Sequence, residues 1–148
     1  MENVISFKSK FGWITAVEKK NKILSVDFGK SKNKGNLTCL KKFKKKFNNF
    51  LLKKTKKLDC DILLQGSFLQ IKIWKELQKI PYGKTRSYGD IAKKVNTSPR
   101  YVGNVCGQNR HLIVIPCHRV VRSDGTLGGF SAPDGLNLKK RLINFEKY

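Results

Sequence analysis

Sulfur and imidazole ligands are sparse in this chain. Its 148 residues include two histidines and four cysteines, Cys39, Cys60, Cys106 and Cys117, which lie 21, 46 and 11 positions apart. Without a C-x-x-C pair the set is too small and too scattered for a zinc centre, so no metal site is expected. Met1 to Phe7 has neither the basic region nor the apolar core of a secretion signal. A cytoplasmic protein with reduced thiols and no disulfide framework is therefore expected. No apolar run approaches the ~20 residues needed to cross a bilayer. Acidic residues are also few, 10 Asp and Glu against 32 Lys and Arg, for a formal charge of +22. Seventeen basic and five acidic residues precede position 63, and fifteen and five follow it, so the excess is spread along the chain. Charge does not set a fold, but it selects partners. Nucleic acid is the first polyanion to expect and an anionic membrane the second, with a lysine-rich solvated surface as the bland alternative.

The length suits one domain, or one with a small companion. In the first sixty residues, two β-prone runs, Phe11 to Val17 and Lys22 to Phe28, flank Glu18-Lys19-Lys20-Asn21 and suggest a hairpin. Gly29 to Asn36 is a polar loop. Leu37 to Leu52 places Leu40, Phe43, Phe47, Phe50 and Leu51 at helical spacing with lysines opposite, which reads as an amphipathic helix. Lys53 to Asp61 is a basic linker.

The second part is better punctuated. Phe68, Ile71, Trp74 and Leu77 mark a short helix that ends near Pro81-Tyr82-Gly83. Ser87 can cap a helix over Tyr88 to Val95, with Asp90 imitating the capping-box partner. Asn96-Thr97-Ser98 forms a turn, and Pro99 suits the first position of a further helix to about Gln108. Helix, three-residue turn, helix is the pattern in which the second helix enters a DNA groove. Arg100 and Tyr101 stand at the start of that second helix, where such contacts are made. Duplex DNA is accordingly the expected partner, and a membrane is not.

Chemistry concentrates in Ile115 to Val121, IPCHRVV. A thiol is a weak nucleophile until ionised, and an adjacent imidazole with nearby backbone donors is one route to thiolate. An unreactive buried cysteine beside a histidine is the plain alternative. Cys106 falls on the buried face of its helix and is expected to be inert. His111 is expected to be structural or to face DNA, and Arg119 could point to phosphate.

In order, GSFLQIKIW, IPYGKTRSYGDIA, SPRYVGNVCGQN, IPCHRVV and LGGFS resemble the O6-alkylguanine-DNA alkyltransferase family over about residues 66 to 146. The resemblance implies an α/β (α+β) fold. A small, variable amino-terminal domain with hairpin, helix and basic linker would occupy 1–62. A winged helix-turn-helix-like domain, 63–148, would carry the active-site cysteine. Some members have zinc in the first domain, and this chain lacks the ligands for it. The implied activity is a single-use DNA repair step by a monomer, with no metal and no cofactor expected. The helix-turn-helix enters the minor groove, an O6-alkylguanine (or O4-alkylthymine) is turned out of the duplex, and the alkyl group passes irreversibly to Cys117. His118, through a water molecule, would withdraw the thiol proton, and Glu146 would orient the histidine. Lowering the thiol pKa by ~3 units would be worth about 4 kcal/mol. Tyr88 would donate to the guanine ring, Arg100 would fill the gap in the stack, and Asn109 would brace the turn before the active-site strand. The backbone of Cys117, Val120 and Ser131 would read the base edge.

The chain departs from the family pattern at Leu69, Arg110 and Phe130, where Phe, Pro and Tyr are usual, and at Ala132-Pro133-Asp134-Gly135, where a glycine pair usually follows Ser131. The last change bears on which alkyl groups are accepted. Three other functions compete. A binding-only damage sensor of the alkyltransferase-like kind typically has Trp where this chain has Cys117. A helix-turn-helix regulator would prefer one DNA sequence. A cysteine hydrolase would turn over, although neighbours on an extended strand point to opposite faces and make a direct Cys117–His118 pair awkward.

Overall fold

The computed structural model describes residues 1–129 and 135–148, so the expected base-reading contact at Ser131 and the altered segment at 132–134 lie outside the described residues. The chain divides into two compact units, Met1–Leu64 with Arg110–Val114, and Gln65–Asn109 with Ile115–Tyr148. The expected second region, 63–148, therefore gives up Leu63, Leu64 and Arg110–Val114 to the first unit.

The first unit is built on an antiparallel sheet in the order β1 (Asn3–Ser9), β2 (Gly12–Lys19), β3 (Lys22–Phe28). Ile5 and Phe7 in β1 and Ile14 and Ala16 in β2 are buried at alternate positions, while in β3 the buried Ile23 and Val26 stand three apart across a register shift in the β2–β3 pairing. Lys20 and Asn21 both take positive φ, 52° and 65°, between the paired Lys19 and Lys22. That is the two-residue hairpin geometry whose twist matches the strands. The expected hairpin is thus two-thirds of the sheet. The strand β1 is an addition, because its alternation at Ile5 and Phe7 covers only one full period. A helix α1 (Thr38–Leu51) buries Leu40, Phe43, Phe47 and Phe50 and turns its lysines outward. Phe47 meets Phe7 edge-on at 5.6 Å.

Arg110–Val114 is not a regular strand. It runs beside β3 through Val26 N–H to the Arg110 carbonyl (2.7 Å) and Leu112 N–H to the Val26 carbonyl (3.0 Å). It then turns at Ile113, whose φ of 72° is unusual for a β-branched residue. His111 is structural: its Nε2 lies 2.9 Å from the Ile23 carbonyl, and burial pushes its pKa down.

The second unit follows its sequence punctuation closely. α2 (Phe68–Leu77) begins at a Ser67/Gln70 capping box. A two-residue strand β4 (Arg86–Ser87) leads into α3 (Tyr88–Val95), where Ser87 and Asp90 close the expected box. Asn96 ends α3 in the left-handed conformation, and Ser98 caps α4 (Pro99–Gly107) with Pro99 in its first turn. Replacing Ser87 by alanine removes the acceptor for the Asp90 N–H and should cost ~1 kcal/mol in urea unfolding. Cys117–Arg119 forms a single 3-10 turn rather than a strand, followed by β5 (Val120–Val121), which pairs parallel to β4. A last helix, α5 (Gly135–Lys147), buries Leu138, Lys139, Leu142, Phe145 and Glu146.

Candidate active site

The 3-10 turn decides the geometry around Cys117. On an extended strand Cys117 and His118 would face opposite ways, whereas the turn buries both, at 3% and 0% exposure. Pro116 precedes the turn, and its carbonyl accepts from the Arg119 N–H at 2.9 Å. Asn109 reaches across to lock the turn: its Nδ2 donates to the Ile115 carbonyl (2.9 Å) and to the Cys117 sulfur (3.2 Å). Expected as a brace with a DNA-facing role, Asn109 is buried and touches the nucleophile itself.

The thiol is not an ionised one at rest. Burial pushes the Cys117 pKa up, against the Asn109 hydrogen bond, the Lys139 charge and the sulfur's contact with its own backbone, all of which pull it down. The lowered thiol pKa expected from the sequence is therefore corrected. Burial outweighs these contacts, so the site does not hold a free thiolate and proton removal must accompany the reaction.

Within the same turn, His118 is tied to a carboxylate. His118 Nε2 is 2.9 Å from Glu146 Oε2. Its other ring nitrogen, Nδ1, is buried and has no hydrogen-bond partner among the described residues. Burial lowers the His118 pKa, and the Glu146 contact opposes this, so the ring is neutral at pH 7 and able to receive a proton. Glu146 is fixed from two sides. Arg119 Nε donates to Oε1 at 2.8 Å and Nη2 to Oε2 at 2.7 Å, while Nη1 donates to the Ile80 carbonyl at 2.8 Å. Burial alone would raise the carboxyl pKa, but the hydrogen bonds and charges of His118 and Arg119 bring it down to about 2. Arg119, read as free to meet phosphate, is instead the buried anchor of the carboxylate.

In front of Cys117 lies a cleft of about 510 Å³, lined by Tyr88, Arg100, Cys106, Arg122, Gly128 and Gly129 among others. A Cβ on Gly128 would collide with the Tyr88 hydroxyl, so the absence of a side chain there leaves the cleft wall open for it. Burial first, then Cys106 and Cys117, push the Tyr88 phenol up to about 12. Arg100 is exposed at the start of α4 and lines the cleft, and Tyr101, half-buried, follows it. Cys106 is buried on α4, and burial pushes its thiol up to about 12. Lys139 was overlooked in the sequence: it is fully buried, and its Nζ donates to the Tyr88 oxygen at 3.2 Å. Its register with Leu142 and Glu146, three and seven residues on, was the available sign of an inward-facing helix position. Among the described residues no cluster of three or more His, Cys, Asp or Glu is placed to hold a metal ion.

Comparison with known proteins agrees with this arrangement. Residues 68–148 match the family described as 6-O-methylguanine DNA methyltransferase, DNA binding domain. A methylated-DNA–protein-cysteine methyltransferase of Metallosphaera sedula is 39% identical over 144 residues, 95% of this chain and 90% of the relative. One from Mycolicibacterium paratuberculosis is 42% identical over 93 residues, 62% of this chain and 55% of the relative. The crystal structure of Mycobacterium tuberculosis OGT in complex with DNA superimposes with a TM-score of 0.86 at 28% identity, covering 97% of this chain and 92% of that one. The chain belongs to the 6-O-methylguanine DNA methyltransferase family.

Proposed function

We propose that this chain is a single-use DNA repair protein that takes the alkyl group from O6 of guanine in double-stranded DNA onto Cys117. The observation that carries the reading is the position of Cys117, between an open cleft bordered by the start of a helix-turn-helix and a buried His118–Glu146 pair. α4 is the recognition helix. Arg100 at its exposed start fills the space of the extruded base, offsetting part of an unstacking cost of a few kcal/mol. Within the cleft the thiol proton passes through a water molecule to His118 Nδ1, and Glu146, held ionised by Arg119, stabilises the imidazolium. Sulfur then attacks the alkyl carbon, the carbon–O6 bond breaks, and Tyr88 delivers a proton to the guanine ring so that guanine leaves neutral. Nothing in the site regenerates the thiol from a thioether, so each molecule acts once. The protein works as a cytoplasmic monomer, without metal or cofactor.

The test is single-turnover restoration of guanine in a duplex containing O6-methylguanine, followed by chromatography of the digested DNA. One equivalent of guanine restored per protein supports the reading. Continued turnover supports a hydrolase, and sequence-dependent binding without restoration supports a regulator. Arg100→Ala should slow repair of duplex DNA by about 10- to 100-fold through poorer extrusion, while Cys117 stays equally reactive towards free O6-alkylguanine base. Loss of both activities together would count against the extrusion role. Binding to duplex should weaken with salt, the logarithmic slope being roughly 0.9 per phosphate neutralised.

A further inference from the structure

Lysine is densest outside the unit that carries Cys117. Residues 41–57 hold nine lysines and no aspartate or glutamate, and they comprise most of α1 and the segment after it. Leu40, Phe43, Phe47 and Phe50 are buried, while Lys41, Lys42, Lys44, Lys45 and Lys46 are all exposed. Lys53, Lys54, Lys56 and Lys57, also exposed, continue the series. Lys44 and Lys46 serve the protein itself as well. Lys44 Nζ lies 5.6 Å from the centre of the Phe7 ring, and Lys46 Nζ donates to the Asp59 carbonyl at 2.8 Å. The second contact folds the chain back towards α1, so the later lysines remain near the carboxyl-terminal end of the helix.

This arrangement works against the helix that carries it. Lys41 ends the first turn, near the positive end of the helix dipole, and no acidic residue stands there to offset it. Lys41 and Lys45 are four apart and repel each other, as do Lys42 and Lys46. The helix closes with the Lys53 N–H on the Phe50 carbonyl (3.1 Å) and the Lys54 N–H on the Asn49 carbonyl (2.9 Å). Glycine is usual at the left-handed position of that motif, and here Lys53 takes it with a φ of 59°. Each feature lowers local stability, and each sets positive charge in solvent.

An anion laid along this face relieves the repulsion. A membrane fits it less well, because an interfacial helix inserts its apolar side, and that of α1 is already buried in the protein. Lysine pairs with phosphate as a point charge and suits a contact that positions the backbone without reading bases. Duplex held by α4 of the same chain is also the polyanion at the highest local concentration. We infer that the outer face of α1, with the lysines that follow it, is a second contact surface for the phosphate backbone of duplex DNA. It rests on duplex DNA as the partner and not on alkyl transfer.

The test is a set of binding isotherms across salt on an unalkylated duplex of about 30 base pairs. Lys41→Gln/Lys42→Gln/Lys45→Gln keeps good helix formers and removes three charges. Its affinity should fall about 100-fold at about 50 mM salt, and its logarithmic salt slope should shrink by roughly two to three. Its stability in urea should match or exceed the parent's, because the repulsion is gone. Lys8→Gln/Lys19→Gln/Lys32→Gln removes the same charge from exposed positions elsewhere in this unit and should lose no more than about fivefold. Equal losses in the two variants would trace the effect to net charge and overturn the surface, as would an unchanged slope in the α1 variant. Should that variant fail to fold, lysine footprinting of the parent supplies the answer. Bound duplex should slow acetic anhydride modification of Lys41, Lys42 and Lys45 by about fivefold, and absence of protection would overturn the proposal. Protection by phosphatidylserine-containing vesicles but not by duplex would assign the face to a membrane and overturn it too. A parent protein that binds no duplex removes both this surface and the repair reading. A parent that binds, with the α1 variant equal to it, removes the surface alone.

Discussion

Replacing Cys117 by serine yields a folded protein that binds alkylated duplex and takes up no alkyl group, a loss of ~10⁴-fold or more in transfer rate. The substitution changes one atom. A hydroxyl fits where the thiol lies and accepts the same Asn109 hydrogen bond, so the packing around the turn is kept. What disappears is a polarisable nucleophile that His118 can ionise, since a hydroxyl is far harder to deprotonate than a thiol. Three other cysteines remain: Cys106 lines the cleft on α4, and Cys39 and Cys60 belong to the other unit. Residual uptake on any of them in the Cys117→Ser protein would mean that the cleft selects thiols less sharply than its geometry implies. Repair assays and DNA-binding isotherms on one preparation check both halves of the expectation.

Glu146→Ala should have the second largest effect, and it should act on stability and chemistry together. It leaves the Arg119 guanidinium buried with the Ile80 carbonyl and the Tyr82 ring but no carboxylate among the described residues, and leaves His118 Nε2 without its partner, a loss of ~3–5 kcal/mol in urea unfolding. Glu146→Gln is milder for packing but still removes the charge that stabilises the imidazolium, so transfer should slow by about 100-fold or more. The pH dependence follows from the same contacts. The carboxyl pKa falls from 4.5 to about 2 on folding, so its contribution, on the order of 3 kcal/mol, is fully present above pH ~4.5 and is lost as pH falls towards 2. His118, whose pKa folding lowers from 6.5, destabilises the folded state as pH falls below 6.5, because the unfolded ring takes the proton first. Urea titrations from pH 7 to pH 3 should therefore show two successive losses in the parent protein. The lower one should be absent from Glu146→Gln.

Much of the second unit was legible because its helices are punctuated by residues with local geometric roles. Ser87, Ser98 and Pro99 act on the backbone next to them, and the bounds of α3 and α4 could be read within a residue. The helix-turn-helix followed from the same signals, whereas the fold class came with the family resemblance. Elements whose meaning depends on distant partners were harder. β1 is a strand because β2 pairs with it, and its own pattern is short. α5 carries charged residues on its inner face, so its apolar stripe looks broken until Arg119 and Glu146 meet across 27 positions. The same long-range pairing hid the role of Arg119, which looks like a surface cation beside the nucleophile. Lys139 was hidden for the related reason that its partner, the Tyr88 oxygen, lies 51 positions away. The 3-10 turn at Cys117–Arg119 was equally invisible as a turn, since IPCHRVV has the composition of a strand. Asn109, eight residues before the cysteine, is what holds it in shape.

The central claim is that Cys117 is the alkyl acceptor. It is tested most directly by peptide-resolved mass spectrometry of the protein after one pass over duplex DNA containing O6-methylguanine. The account predicts a single adduct of about 14 Da, one methyl in place of hydrogen, at one equivalent per protein and confined to the peptide that contains Cys117. Folded protein that binds this DNA yet leaves Cys117 unmodified, or that carries the methyl group on another residue, would contradict it.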